Sequence, residues 1–385
     1  MTETKSTLRA SGTHAQRVIF VDLTRALAVI LMIAGHTVSG LLNPAYNASP
    51  WFDVWQFQRG LTSSLFLLLS GFAFSVATAR HWPSHLRLSG AFLRRLRRFS
   101  FFLLLGYTLH MPVQSVRAIW HLDPVAWRGF VAVDVLQLIG ATFITIQFLV
   151  FFCRSRAVFA VTCLVLAALI LVSTPTAWDA PWGQHLPDAV RAFFTVSGGS
   201  TFPMVPFAAS VLIGAATGQL YAHWGAAHLL TFANRVLFGG ALVLTIPGAL
   251  ARYYHWMPFG DGPSGAIPME YVLRTGVSFA ILGVAAHVST RLTGIPKLVG
   301  ALAQESLTVY YLHLCLVYGS IWSFGIQQVI GGPVLGLGAA FGVAGVVAIL
   351  MVGVALYWNW CKHARPKLAL GFKVAAAIWA AIWLH

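Results

Sequence analysis

The sequence predicts an all-α polytopic membrane protein with ten or eleven transmembrane helices and a cytoplasmic N-terminus. Of its 385 residues, 58% are hydrophobic and only 9% are charged, whereas soluble domains contain about 25% charged residues. Apolar runs of roughly 20 residues, the length that crosses a bilayer, recur from residue 18 to the C-terminus. Both observations exclude a protein built around a soluble core.

The predicted spans follow one another closely, and no soluble domain separates them. They lie at 18–42, 60–79, 99–116, 129–152, 157–174, 201–221, 230–250, 269–290, 298–323, 332–358 and 369–384. The last is short and contains Lys373, so the count is ten or eleven. The first apolar run is long and charged for a cleaved signal peptide. We therefore expect a polar cytoplasmic tail at 1–17 and a single transmembrane domain at 18–385.

The distribution of Lys and Arg predicts the orientation. Most basic residues fall in alternate loops, beginning with the N-terminal tail, and the intervening loops contain only Arg59, Arg117, Arg128, Arg191 and Arg252. Because cytoplasmic loops are enriched in Lys and Arg, the N-terminus is predicted to be inside. This asymmetry also explains the net charge of +15 without a nucleic-acid partner.

Three polar side chains share one face of the first span, "VDLTRALAVILMIAGHT". At about 100° per residue, Arg25 and His36 lie within about 20° of the same direction, and Asp22 precedes Arg25 by three residues. Charged groups inside a bilayer are costly and usually face a cavity. Alternatively, Asp22 and Arg25 form an interfacial ion pair, and His36 hydrogen-bonds a neighbouring helix.

The segment "DVLQLIG" places Asp134 and Gln137 on one helical face, at about the depth predicted for His36. A carboxylate that binds an imidazole orients it and stabilises its protonated form, as a general base requires. We therefore predict His36 and Asp134 as catalytic residues and Gln137 as substrate-binding, although the sequence leaves open whether Asp134 reaches His36. His110 is at a similar depth, and we interpret it as structural.

Two further spans contain polar groups. Glu270 and Arg274 lie four residues apart, which predicts either an interfacial salt bridge or a contact from Arg274 to a sugar or an oxyanion. In "AQESLTVYYLHL", Glu305 lies in the inner half of the span and is a possible partner for Arg25. His313 either lines a substrate path or joins a hydrogen-bond network between helices.

The basic run "RLSGAFLRRLRRF" is predicted to be cytoplasmic. It is either a topogenic anchor against anionic lipid or a platform for a polyanionic ligand, and on the second interpretation Arg94 and Arg95 bind the donor. The four cysteines show no metal-ligand spacing, so we expect free thiols and no metal.

Four segments together resemble a known family. "DLTRALAVILMIAGH" is similar to the first-helix signature of membrane acyltransferases, with Arg and His separated by ten residues. "DVLQLIG", "FPMVPFAASVLIGAATG" and "ESLTVYYLHL" follow in the order typical of bacterial relatives of heparan-alpha-glucosaminide N-acetyltransferase. One departure is that Arg25 is followed by Ala26 instead of Gly. Another concerns the loop after the first span, where the lysosomal heparan-alpha-glucosaminide N-acetyltransferase has a further histidine. The corresponding loop of this sequence contains none.

The resemblance implies that an acyl group, expected to be acetyl, passes from cytosolic acyl-CoA to a sugar or glycan on the far side of the membrane. It assigns catalysis to His36 and the donor side to Arg25. The missing loop histidine weakens the inference of an acyl-histidine and of N-acylation. The sequence leaves the acceptor, the acyl chain and the oligomeric state open.

Two other functions compete with the enzyme. Buried charges also line the paths of transporters, so a transporter or flippase for a glycan or small anion is the alternative. The inverted repeat common in transporters is not evident. A membrane scaffold is the third possibility, and it predicts that Arg25 and His36 tolerate apolar replacement.

Overall fold

A computed structural model describes residues 18–384 of the chain, and every regular element in that range is helical. The predicted tail at 1–17 lies outside the described residues. The helices in chain order are α1 Ile19–Leu41, α2 Pro50–Ala79, α3 Gly90–Leu109, α4 Pro124–Val131, α5 Val135–Cys153, α6 Arg156–Asp179, α7 Asp188–Arg191, α8 Met204–Trp224, α9 Leu229–Phe232, α10 Gly239–Tyr253, α11 Ile267–Ser289, α12 Lys297–Gln304, α13 Ser306–Tyr318, α14 Ile326–Val329, α15 Leu337–Ala364 and α16 Pro366–Leu384.

Eight of the described helices are long and apolar enough to cross a membrane. They are α1, α2, α5, α6, α8, the continuous rod Leu229–Tyr253 that joins α9 to α10, α11 and α15. The fold is therefore the predicted all-α polytopic membrane protein. The count of ten or eleven spans also requires α3, the pair α12–α13 and α16, so it stays a prediction, as does the side of the N-terminus.

Two helices begin about ten residues before the predicted spans. α2 starts at Pro50, which stands at the first helical position after Ser49, and α3 starts at Gly90, where the Ser89 hydroxyl accepts a hydrogen bond from Phe92 N. The prediction began each span where its apolar run begins. Helix propensity does not follow hydrophobicity, and Arg and Gln are good helix formers, so both helices extend beyond their apolar parts.

The predicted ninth span is broken at Glu305, which separates α12 from α13. The Glu305 carboxylate is 2% exposed. It pairs with Lys362 Nζ at 2.5 Å and accepts a hydrogen bond from Asn359 Nδ2 at 3.1 Å. A buried charge requires such partners. Lys362 and Asn359 both lie on α15, so contacts to α15 stabilise the chain where α12 ends and α13 begins.

The centre of the bundle is the crossing of α2 and α8. α1 packs beside it against α2, α11, α12, α13 and α15. Glycines allow the close approach at the crossing. A Cβ at Gly71 would overlap the carbonyl oxygen of Val211, and one at Gly214 would overlap that of Leu68. Glycine at both positions therefore permits the backbones of α2 and α8 to come into contact.

The start of α8 is kinked at Val205, which has non-helical backbone angles, as expected from the neighbouring Pro206. The freed Val205 carbonyl accepts a hydrogen bond from Trp178 Nε1 at 2.9 Å. Kinks inside a membrane protein persist where neighbouring groups satisfy the backbone. The kink brings Phe202 and Phe207, whose ring centroids lie 4.7 Å apart, to the wall of a cavity.

Candidate active site

A cavity of about 550 Å³ opens among the C-terminal half of α1, the N-terminal half of α2 and the facing ends of α5, α11 and α13. Its volume is within the usual range for small-molecule sites. Its apolar wall includes Leu31, Met32 and Phe66. Its polar lining is formed by His36, Gln56, Arg59, Thr62, Ser63, His110, Asp134, Thr201, Arg274, Tyr310 and Tyr318.

His36 lines the cavity and is half-buried. Its Nδ1 lies 3.0 Å from His313 Nε2, and the two rings meet edge to edge, nearly coplanar at 18°, with centroids 5.1 Å apart. His313 is fully buried on α13, and its Nδ1 lies 2.8 Å from the Val309 carbonyl. Tyr318 donates a hydrogen bond to the His36 carbonyl at 3.0 Å. His36 is thus fixed from two sides by α13.

Asp134 lies on the same cavity, but its imidazole partner is His110. The distance from His110 Nε2 to Asp134 Oδ2 is 3.4 Å, and Tyr310 donates to the same oxygen at 3.3 Å. Asp134 Oδ1 accepts from Val135 N at 2.7 Å and caps α5. The sequence analysis interpreted His110 as structural and left open whether Asp134 reaches His36. In the structure His110 lines the cavity with Asp134, while the His36 ring bonds to His313.

Arg274 lines the cavity from α11, where its guanidinium binds Glu270 at 2.8 Å. Arg252 binds the same carboxylate at 3.0 Å. Gly60 makes room for Arg274, because a Cβ at Gly60 would overlap the guanidinium. Arg274 thus forms the predicted salt bridge to Glu270 and also lines the cavity, and its contact to a sugar or an oxyanion stays a prediction.

Arg59 is a lining residue that the sequence analysis assigned to a loop. It lies on α2 and donates to Gln56 Oε1 at 2.9 Å. The missed signal was Ser49-Pro50, since Ser before Pro at the first helical position is typical of a helix start. A helix that begins there places Arg59 inside the protein, on the face that looks toward α1.

Gln137, which was predicted to bind substrate, lies behind the cavity wall. The same is true of His313, for which the sequence left open a substrate path or a hydrogen-bond network between helices. Gln137 is fully buried, and its Oε1 accepts from Asp134 N at 3.2 Å, completing the capping box of α5. His313 is fully buried behind His36. Neither side chain lines the cavity. Each instead hydrogen-bonds a residue that does, Gln137 to Asp134 and His313 to His36.

Arg25 does not line this cavity, whose α1 wall extends from Leu31 to His36. Leu31 and Arg25 are six residues, about 9 Å, apart along the helix, and Ala28 and Val29 between them are fully buried. The helix face that carries both Arg25 and His36 therefore does not open into one cavity along its whole length. Glu305, the predicted partner of Arg25, binds Lys362 and Asn359.

Arg94 and Arg95 face in different directions. Arg94 is exposed on α3. Arg95 turns inward, where it donates to Thr78 Oγ1 at 2.8 Å, lies 3.3 Å from His85 Nε2 and covers the Phe74 ring at 4.7 Å. Arg94 is therefore available to an anion at the surface, whereas Arg95 ties α3 to the end of α2.

His85, which lies in the loop between α2 and α3, makes the stability of the fold sensitive to acid. Burial, followed by the charges of Arg95 and His81, lowers the pKa of His85 from 6.5 to about 4. The unfolded chain binds this proton at higher pH than the folded chain does, so stability should fall as pH drops from about 6.5 toward 4.

Glutamine at position 85 keeps an acceptor for Arg95 but cannot be protonated. We expect the apparent melting temperature of the detergent-solubilised His85→Gln variant to fall less between pH 7.5 and 4.5 than that of the unmodified protein. Equal falls in the two proteins would show that His85 does not contribute.

Among residues 18–384, no group of three or more His, Cys, Asp and Glu side chains is placed to hold a metal ion. The four cysteines are free thiols, as expected from their spacing.

Comparison with known proteins identifies a family that matches most of the chain. The family of the heparan-alpha-glucosaminide N-acetyltransferase catalytic domain matches residues 17–258, more than half of the chain. The match includes His36, Arg59, His110 and Asp134 and supports a membrane acetyltransferase that acts on glycans. No curated protein matches the chain. The chain therefore belongs to the family of the heparan-alpha-glucosaminide N-acetyltransferase catalytic domain.

Proposed function

We propose that the protein transfers an acetyl group from cytosolic acetyl-CoA, or a related acyl group from its acyl-CoA, to a sugar hydroxyl or amine on the outer side of a bacterial inner membrane, with His36 as general base. The observation that carries the proposal is the position of His36. Its ring borders a cavity of about 550 Å³ and is fixed by a hydrogen bond on its other side.

The reaction exchanges one bond at the acyl carbon. The acceptor oxygen or nitrogen attacks the thioester carbon, its proton passes to His36, and the carbon–sulfur bond breaks to release the CoA thiolate. His36 can then return the proton to that thiolate. General-base assistance of this kind contributes about 10²–10⁴ in rate.

The cavity is formed at the ends of the helices that the loop charges predict to be outside, which fits entry of a glycan from that side. Asp134 and His110, 3.4 Å apart, form one polar wall, and Arg59 and Arg274 form another. We propose that these groups bind the acceptor. Gln137 supports this wall by capping α5 together with Asp134.

The donor would approach from the opposite end of the bundle. We propose that Arg25 and the exposed Arg94 receive the phosphates of acyl-CoA, and that Arg95 and Glu305 hold the helices around that entry. The thioester would then have to pass the buried layer at Ala28 and Val29 to reach His36. This requires a local separation of α1 from its neighbours when the donor binds.

The test is transfer by the purified protein in lipid nanodiscs. Acetyl-CoA labelled in its acetyl group would be supplied with amino sugars and with neutral and acidic oligosaccharides, and labelled products would be identified by mass spectrometry. We expect label in a sugar product. If acetyl-CoA neither binds at millimolar concentration nor labels any acceptor, the enzyme proposal fails and transport becomes the better interpretation.

Replacing either cavity arginine by methionine should weaken acceptor binding and leave chemistry largely intact. A hydrogen bond to a charged group contributes about 1.5–3 kcal/mol, so the KM for the acceptor should rise roughly tenfold to a hundredfold in Arg59→Met and Arg274→Met. The matched control is Arg252→Met. Arg252 also binds Glu270, but it is half-exposed and does not line the cavity. Equal effects in all three variants would contradict acceptor binding by Arg59 and Arg274.

A further inference from the structure

We propose that His313 is a positioning residue that fixes the proton of His36 on Nδ1 and so leaves Nε2 as the basic nitrogen. This inference rests on the proposed role of His36 as general base and specifies the atom that acts. It is carried by two hydrogen bonds that connect the Val309 carbonyl, His313 and His36 in series.

The series begins at an atom that can only accept. The Val309 carbonyl oxygen lies 2.8 Å from His313 Nδ1. A carbonyl has no hydrogen to donate, so this contact requires a proton on His313 Nδ1. In neutral imidazole only one ring nitrogen carries a proton. His313 Nε2 is therefore a bare acceptor whenever His313 is neutral.

The burial of His313 favours the neutral form. Its side chain is 0% exposed, and its two ring nitrogens contact the Val309 carbonyl and the His36 ring. A buried charge without a bonded counter-ion is strongly unfavourable, and neither of these two contacts is an anion. The neutral His313 ring consequently presents an acceptor to His36.

The second hydrogen bond then determines the tautomer of His36. The distance between His36 Nδ1 and His313 Nε2 is 3.0 Å, so the proton between them belongs to His36 Nδ1. The Tyr318 hydroxyl holds the His36 backbone carbonyl at 3.0 Å. The ring cannot exchange its two nitrogens without losing the bond to His313. His36 Nε2 is left with its lone pair, on a residue that lines the cavity.

The arrangement also fits the reaction step. When the acceptor X–H bond breaks, its proton moves to His36 Nε2 while the acceptor atom forms its bond to the acyl carbon. The resulting imidazolium keeps its Nδ1–H bond to His313, and the proton on Nε2 is released to the CoA thiolate as the carbon–sulfur bond breaks. Enzymes with a Ser-His-Asp triad lose about 10⁴ in kcat when the orienting carboxylate becomes an amide and the imidazole adopts the wrong tautomer.

Two replacements of His313 separate orientation from packing. Leucine fills a similar space without an acceptor, whereas the side-chain oxygen of glutamine can still accept from His36 Nδ1. We expect His313→Leu to lower kcat by about 10²-fold or more, with the KM values of donor and acceptor changed by less than about threefold. His313→Gln should retain kcat within about tenfold of the unmodified protein. Equal activity of the two variants, high or low, would overturn the proposal.

A direct measurement does not depend on whether the variants fold. In the unmodified protein labelled with ¹⁵N-histidine and held in nanodiscs, solid-state NMR distinguishes protonated from bare ring nitrogens, and His36→Gln identifies the His36 signals. We expect His36 as the Nδ1–H tautomer at pH 7.5. Predominant protonation of His36 at Nε2 would overturn the proposal.

The experiments also separate this inference from the proposed function. Full activity of His36→Gln would refute His36 as the base. Loss of activity in His36→Gln together with unimpaired kcat in His313→Leu would retain the base and refute only the role of His313.

Discussion

Replacing His36 by alanine is expected to lower the transfer rate by about 10²–10⁴-fold, the contribution that a general base typically makes. Alanine removes the group that accepts the proton of the acceptor and leaves the cavity open. His313 Nε2 loses its partner, but the vacated space can admit water to that nitrogen. The folded protein should therefore persist. The measurement is kcat with acetyl-CoA and the acceptor identified by product analysis, together with acetyl-CoA binding by calorimetry.

The matched control is His121→Ala, which removes an exposed imidazole outside the cavity. It should retain full activity. His36→Ala should bind acetyl-CoA with unchanged affinity, because the donor phosphates are proposed to bind at the other end of the bundle. Transfer by His36→Ala at the control rate would refute the catalytic role. Loss of donor binding together with activity would indicate a structural defect instead.

The sequence predicts the membrane helices well because the bilayer imposes one rule along the whole chain, a run of about 20 apolar residues. The rule gives no information on how far a helix extends into polar residues. α2 and α3 therefore begin at Pro50 and Gly90, well before their apolar runs. The same omission placed Arg59 in a loop, although it lies on α2 and lines the cavity.

Helical periodicity placed Arg25 and His36 on one face, but a shared face does not determine what each residue meets. The cavity extends along α1 from Leu31 to His36, and the fully buried Ala28 and Val29 separate it from Arg25. Which part of a helix face borders a cavity depends on the side chains of the neighbouring helices. It therefore cannot be predicted from the sequence of one helix alone.

Partners across helices were the least predictable feature of the site. Depth alone made Asp134 a reasonable partner for His36, and both do line one cavity. A hydrogen bond requires agreement within a few tenths of an ångström, which depends on helix rotation and tilt. In the folded bundle His36 lies against His313, and Asp134 lies against His110.

Replacing Gly71 by alanine is expected to lower stability strongly. Gly71 stands where α2 crosses α8, and a Cβ there would overlap the carbonyl oxygen and carbon of Val211. Neither atom can move without moving α8, so the two helices must separate. Overpacking of a well-packed interior costs about 1–3 kcal/mol and occasionally more. We expect the upper end of that range or beyond, because the obstacle is backbone and not a flexible side chain.

The effect should also reach the active site. α2 carries Arg59 to the cavity and α8 carries Phe207, so separating these helices displaces two walls at once. Any Gly71→Ala protein that survives purification should have a lower melting temperature and a raised KM for the acceptor. Size-exclusion chromatography of the detergent-solubilised protein and a thermal melt would measure the first effect.

Gly345→Ala and Gly353→Ala are the matched controls, since both glycines lie within α15 and an added Cβ meets nothing within 4 Å. In a helix interior alanine is favoured over glycine by about 1 kcal/mol, so the controls should be as stable as the unmodified protein or more so. Whether a glycine-to-alanine substitution raises or lowers stability thus depends on whether a neighbouring backbone occupies the position of the methyl group. A Gly71→Ala protein as stable as these controls would show that α2 and α8 do not approach each other closely at this crossing.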